Sequence, residues 1–413
     1  MVRLAVIMFA AMCMGYGCEP APETGYQFRG NISEEVLRNY LSRAVTHSEL
    51  CTPPQYKMDG ADSLEDDLRM LREIGVKFIG RSIFRWGEEN IFNDPEFLKF
   101  ATDVIDPVHV NDPDVIFQAA LFEIVTPEVE GVAVPEHVFR AFGLPVEERN
   151  FSYGAMVNLE GIYLNHWGEE RSVPDISRME SLMWYYFMAS QYIDAGFEAI
   201  HWGQVALMAM NDPEFRYWNK LLSMVRSYAR ENAHRGYVLS DAHAPFGGFK
   251  YKEQLLFDFH SFPLRIKGDT TIHMRGILKE GHLDALYNKS WGGITPSGWE
   301  TEHLPYLVEF DNFGISSDPG NPVAGEHFIW GYDEITWFSL KSEEEQKEWL
   351  SYAYHWLKET DREGYLQMPT CRVVIDGVSS RHKFKANLKS ETCPGGTGLE
   401  TRIKELWIQG QID

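Results

Sequence analysis

The chain has 413 residues, 61 acidic against 38 basic side chains and a formal net charge of −23. That balance excludes nucleic acid or an anionic membrane surface as the main partner, since both require a cationic footprint. The length and the ordinary Gly and Pro content exclude global disorder and leave room for a large core, while 12 Trp, 19 Tyr and 25 Phe are an excess that needs explaining.

In chain order, residues 1–17 read MVRLAVIMFAAMCMGYG, one Arg followed by an apolar run too short to span a bilayer. This has the size of a signal-peptide core, and Cys18 with the Pro-rich tether 18–25 resembles a bacterial lipoprotein signal, in which the Cys is acylated. The expectation is an exported chain held to the membrane only through that lipid, periplasmic or at the cell surface, or otherwise secreted. No pair of cysteines has CxxC spacing, so neither a zinc ribbon nor a redox pair is indicated.

From residue 33 onward, helix-like and strand-like stretches alternate. Ser33 is an N-cap for a helix over 34–42, and 43–49 reads as a first strand. A helix over 66–75, closed by Gly75, feeds a second strand over 76–86. A helix over 95–105 precedes an apolar third strand over 115–125. An insertion including 150–170 follows, then a helix over 176–194 and a fourth strand over 197–204. A helix over 213–231 leads to strands at 236–245, 255–263 and 306–314, and 327–338 completes eight, with Ser342 capping a helix over 343–359. Eight strands with intervening helices and no GxGxxG after the first predict an α/β fold, a parallel (β/α)8 barrel. Two gaps, 246–254 and 314–326, are too short or too rich in Gly and Pro for a full helix, so the barrel is expected to be irregular around strands five to eight. The barrel is placed at 26–370. Residues 371–413 form an extension whose Leu399, Ile403, Leu406 and Trp407 share one helical face suited to packing on it.

Strand alternation assigns the inward faces. In YLVEFDN, Leu307, Glu309 and Asp311 point inward. In LLFDFH, Phe257 and Phe259 go out, so Leu256, Asp258 and His260 point inward. In YVLSDAH, Tyr237, Leu239, Asp241 and His243 share a face. Each strand then starts apolar and ends ionisable, so the barrel has a packed bottom and a charged C-terminal mouth, where active sites of this fold lie. Buried charges are costly unless paired or used, which makes several of them together a candidate site. Glu309, Asp241, Asp258 and His243 are the candidate catalytic residues. Arg81, Glu123, His201, Trp202, Gln204, His260, Asp311 and Trp330 are candidate substrate-binding residues. Trp86, Trp167, Trp291 and Trp299 add flat rings near the strand ends, and flat rings suit the apolar C–H faces of sugars.

With its acid-tipped strands VEFDN and GYDE and an aromatic-rich mouth, the chain resembles a bacterial exported (β/α)8 glycoside hydrolase over residues 30–360. The resemblance implies a carbohydrate substrate, no cofactor, and two carboxylates that share acid/base or nucleophilic work. In the retaining superfamily of this fold the nucleophile ends strand seven, the place of Glu309. Strand four carries His201 and Gln204 where that superfamily has an Asn-Glu pair. Two alternatives stay open: a metal-dependent hydrolase or deacetylase built on the pairs Asp241-x-His243 and Asp258-x-His260, and a non-catalytic carbohydrate-binding barrel.

Overall fold

The computed structural model describes residues 25–57, 63–269, 271–272, 275–321, 328–375 and 382–410. The expected signal segment, Cys18 as the expected lipidation site, and all but the last residue of the tether lie outside these residues. No helix among them is long and apolar enough to cross a membrane.

The chain runs α1 (Glu34–Leu41), β1 (Ala44–His47), α2 (Leu64–Ile74), β2 (Phe78–Arg85), α3 (Pro95–Asn111), β3 (Ile116–Leu121), α4 (Met179–Asp194), β4 (Ala199–His201), α5 (Arg216–Asn232) and β5 (Leu239–Asp241). It continues with β6 (His260–Pro263), β7 (Tyr306–Glu309), α6 (Glu334–Ser339), α7 (Glu343–Thr360), β8 in two segments (Gly364–Leu366 and Met368–Val374), β9 (His382–Lys385) and α8 (Leu399–Gln409). Local sequence sets the helix ends. Ser33 accepts from Val36 N, Gly75 closes α2 in the left-handed region, and Ser342 with Glu345 forms a capping box on α7.

Strands β1 to β5 pair in parallel, each with the next. A parallel bridge between His243 and Ser261, with Ser261 N donating to Ala242 O, joins β5 to β6. Strand β7 then pairs with β6 and with the first segment of β8, and the second segment of β8 pairs with β1. The pairing therefore runs round a ring of eight parallel strands: a (β/α)8 barrel. It is irregular where expected. Between β5 and β6 a hairpin of residues 250–251 and 254–255 stands in place of a helix, and 293–294 and 300–301 from the β6–β7 connection join it in one small sheet.

Two expectations are corrected. Residues 327–338 do not form the eighth strand. Asp333 accepts from Thr336 N and caps α6, so a favourable N-cap and a buried helical face outweigh the β-prone sequence ITWF. The eighth strand is 364–374, which the sequence hides behind Pro369. That residue sits opposite Thr46, next to a register shift where a missing N–H is tolerated. The boundary at 370/371 accordingly falls inside β8. The chain beyond it is bound into the fold: β9 pairs antiparallel with β8, and α8 packs on α2 and α7.

Inside the ring, Ala44, Phe78, Ile116, Ala199, Leu239, Phe259 and Leu307 form one buried layer, each from or just before a different strand. Tyr40 and Leu41 of α1 close it from below. This apolar floor lifts every polar inward side chain toward the C-terminal mouth.

Candidate active site

Two residues beyond the floor, the inward positions turn polar: Gln118 on β3, His201 on β4, Asp241 on β5, Ser261 on β6 and Glu309 on β7. Asp241 is held by neutral partners. Gln118 Nε2 donates to its Oδ1 at 2.7 Å, and His201 Nδ1 lies 2.7 Å from its Oδ2. Ser261 Oγ is 3.2 Å from the same imidazole nitrogen. Burial pushes the Asp241 carboxyl up to about 7, against the pull of Arg81, and burial together with Arg81 drives the His201 imidazole well below its ordinary value. Both shifts favour the uncharged forms, a protonated carboxyl on Asp241 and a neutral imidazole on His201.

Glu309 has the opposite surroundings. Arg81 Nη2 forms a close ion pair with its Oε1, and Arg372 Nη1 lies 3.6 Å from its Oε2. Burial raises this carboxyl, but the two guanidinium groups outweigh it and hold Glu309 below the usual range. Arg81 reaches inward from a bulge in β2, where its own φ is 59° and the register with β3 shifts. Gly80 beside it leaves room for two long amides: a Cβ there would lie 2.0 Å from Gln367 Nε2 and 3.2 Å from Gln118 Oε1.

A third tier opens outward. Asp311 is flanked by Arg265 at 3.9 Å and Arg372 at 3.7 Å, and its side chain is 22% exposed, whereas that of Glu309 is 3% exposed. Burial again raises the Asp311 carboxyl, and Arg265, His243 and Arg372 more than compensate. Glu334, which burial pushes up to about 8, accepts from Asp311 N at 3.0 Å and fixes the main chain there. Glu309 Oε2, Arg372 Nε, Arg265 Nη1 and His243 Nε2 are buried atoms with no hydrogen-bond partner among the described residues. Of these, Glu309 Oε2 and Arg265 Nη1 still have ion-pair partners, Arg372 Nη1 at 3.6 Å and Asp311 Oδ2 at 3.9 Å.

Glu123 and Gln204 meet at the rim but bind each other: Gln204 N and Nε2 donate to the Glu123 carboxylate at 2.8 and 2.9 Å. Gly203, at φ 59°, permits this, since a Cβ there would lie 2.2 Å from Glu123 Oε2. Gly203 O in turn accepts from His243 N. Both residues therefore shape the turn after β4.

The structure thus brings together Glu309, Asp241, His243, Arg81, His201 and Asp311. Four other expected residues lie elsewhere. Phe259 is in the floor, 5.7 Å from Phe78 across the barrel, so β6 has the opposite parity to the one read from its sequence. Asp258 and His260 consequently face outward. Asp258 accepts from Tyr237 Oη and Ser240 N at the lower end of the barrel, and His260 is buried beside Ser290 and Gly248. Trp202 follows inward His201 and so points out, fully buried against Trp218 at 5.8 Å. Trp330 is part of the same large core. Trp299 Nε1 donates to Ile32 O at the barrel floor, and Trp291 N bonds to Gly247 O on the flank, so neither lines the mouth. Of the two Asp-x-His pairs only Asp241-x-His243 faces inward, and no cluster of metal-ligand type occurs among the described residues.

Gln118, Ser261, Arg265 and Arg372 were not anticipated. Gln118 alone left a signal, as the single polar residue in the buried run IFQAAL.

No protein-family model and no curated protein matches the chain. Solved structures resemble it in backbone course. The cyclic α-maltosyl-(1→6)-maltose hydrolase of Arthrobacter globiformis, in complex with that sugar, is 11% identical over 90% of this chain and 83% of its own, with a TM-score of 0.47. The γ-CGTase of an alkalophilic Bacillus clarkii is 11% identical over 90% and 56%, with a TM-score of 0.45. The debranching enzyme of Nostoc punctiforme, in its native form, is 12% identical over 55% and 53%, with a TM-score of 0.34. The chain spans about half the length of the latter two.

Proposed function

We propose that the protein is a glycoside hydrolase in which Asp241 donates the proton to the leaving oxygen and Glu309 acts as the anionic partner. The observation that carries this reading is the contrast between two carboxylates that share one barrel interior. One is hydrogen-bonded by neutral Gln118 and His201 and is protonated near neutrality; the other is gripped by two arginines and stays ionised. Environments that push two carboxyl groups apart assign acid and base. In this mechanism Glu309 attacks the anomeric carbon or activates a water against it, while Asp241 protonates the glycosidic oxygen. Arg81 and Arg372 keep Glu309 charged, and His201 holds Asp241 oriented. Asp311, at the opening, and His243 are placed to accept or donate hydrogen bonds to sugar hydroxyls.

Turnover of a panel of plant, algal and host glycans by wild type, Asp241→Asn and Glu309→Gln tests this reading. Each variant should lose about 10²-fold or more in kcat while still binding substrate. Near wild-type turnover in both on a confirmed substrate places the chemistry elsewhere.

We further propose export, with Cys18 as the acylated first residue of the mature chain, on the strength of the apolar run before it and the Pro-rich tether after it. Mass spectrometry of the native protein checks this; an unmodified Met1 is incompatible with it.

A further inference from the structure

We infer that the insertion between β3 and α4 carries a second, rigid part of the substrate site, a stacking platform for neutral sugar units remote from the bond being cleaved. This rests on the reading of the barrel mouth as a carbohydrate site and extends it to a substrate of several units.

Three observations converge. First, an unbroken series of ring contacts leads from the buried polar layer to the surface. Phe122 lies 6.1 Å from His201, Trp86 5.5 Å from Phe122, Trp167 5.2 Å from Trp86, His166 4.4 Å from Trp167 and Tyr163 5.1 Å from His166. All but the Trp86–Phe122 pair, tilted at 60°, are edge-to-face, the favoured packing of aromatic rings, so the series is a continuous stack of rings that ends at exposed Tyr163 and His166.

Second, the outer end is exposed yet stiff. Tyr163 is 37% and Leu164 46% exposed, and His166 is exposed beside them. Tyr163, Asn165 and Glu170 nevertheless all have φ between 54° and 56°. Non-glycine residues hold that conformation only where their surroundings over-determine it. Here Asn158 Oδ1 accepts from Glu160 N and Ile162 N, Asn165 Oδ1 accepts from Glu170 N, and Tyr163 O accepts from Val173 N. Trp167 Nε1 donates to Glu123 O at 2.9 Å and ties the whole insertion to the mouth. An apolar surface that is preorganised in this way suits a ligand, because little ordering entropy is left to lose on binding.

Third, the charge selects the ligand. Around the outer end, residues 158–173 carry exposed Glu160, Glu169 and Glu170 and one basic residue, Arg171, in a chain of net charge −23. At the mouth itself the guanidinium groups of Arg81, Arg265 and Arg372 are matched by Glu309, Asp311 and Asp284. Uncharged hexose units fit both surfaces; uronate or sulfated chains are repelled.

The test measures binding, so that turnover does not enter. In the Asp241→Asn background, which leaves the ion pairs of Glu309 in place, neutral gluco-, manno- and galacto-oligosaccharides of two to eight units are titrated calorimetrically, with a uronic-acid series beside them. The same titrations follow with Tyr163→Ala and His166→Ala added; both are surface positions, and circular dichroism checks that the fold persists. The expected result is a Kd that tightens with chain length for one neutral series, weakened about fivefold to tenfold for the longest members in the added variants, with the gain from length lost. An unchanged length dependence in the variants overturns the platform, as does the absence of binding in every series, and tighter binding of the uronic-acid series overturns the choice of a neutral ligand. Length-dependent binding that the two substitutions weaken, with no hydrolysis by wild type, supports the platform and overturns the hydrolase reading alone.

Discussion

Glu309 and Asp241 are buried to the same degree, and their partners alone decide which of them is charged. With arginine on both sides Glu309 ionises below the usual carboxylate range, while Asp241, facing an amide and a neutral imidazole, retains its proton to about pH 7. The active form needs Glu309 ionised and Asp241 protonated. Rate should therefore hold on the acidic side and fall as pH rises through about 7. In Asp241→Asn this alkaline limb should vanish together with most of the activity, and kcat/KM measured from pH 4 to 9 in both proteins reads it out. Glu309 and Asp241 were legible in the sequence because each ends an alternating strand that begins with an apolar inward residue. Asp258 and His260 were misassigned because LLFDFH has one apolar face, Leu255, Phe257 and Phe259, and one mixed face, Leu256, Asp258 and His260; alternation does not say which of them turns to the barrel axis, and tertiary packing chooses. Trp202 illustrates the same ambiguity, since one step along the strand separates a mouth residue from a core residue. Trp202→Ala should cost about 3–5 kcal/mol of stability, as for other large buried aromatics. Its KM should stay near that of wild type; a raised KM with unchanged melting temperature would restore it to the sugar site.

At the scale of elements, the barrel is read from sequence up to β7 and lost at β8. GYDEITWF has the composition of a strand but lies behind a capping Asp, whereas MPTCRVV has a Pro in its interior and yet closes the ring. Propensity reports what a segment prefers alone; the vacant position beside β1 decides which segment fills it. Arg372 was missed for the same reason, since it lies in a stretch that reads as tail. The extension beyond β8 also does more than cover the barrel. Lys385 of β9 lies 2.7 Å from Asp67 of α2, both buried, and Asp67 is also 3.4 Å from His47 of β1. Lys385→Met would leave the buried Asp67 carboxylate with His47 but without its lysine, a loss of about 3 kcal/mol. Chemical denaturation should show this as a lower midpoint in a single transition. A separate early transition would instead mark the extension as an independently folding unit.

For the whole molecule, the carboxyl groups that burial has pushed upward set how stability depends on pH. Asp241 and Glu198 stand at about 7, Asp333 at about 6 and Glu334 at about 8. In the unfolded chain each would ionise near its ordinary value, around 4. Between those limits the folded state binds more protons than the unfolded one, so the contribution of these groups to stability is full below about pH 4 and declines as pH rises toward 8. The arginine-held pair works in the other direction. Glu309 and Asp311 have lowered values, and their contribution is present above the ordinary carboxylate range and is lost as the solution becomes more acidic than that. Net charge adds to the first trend, because a chain at −23 repels itself more at neutral than at mildly acidic pH. The two slopes meet on the acidic side of neutrality, so the melting temperature should peak near pH 5, fall steadily to pH 8 and level off beyond it. Added salt should flatten the part due to net charge and leave the part due to buried groups, which solvent ions do not reach. Replacing Glu334 by Gln removes the group whose value lies furthest from its unfolded one, while an amide oxygen can still accept from Asp311 N. Calorimetry of that variant should show a shallower decline between pH 5 and 8 than wild type at equal salt. A decline of unchanged steepness would assign the slope to surface charge and not to the carboxyl groups beneath the barrel mouth.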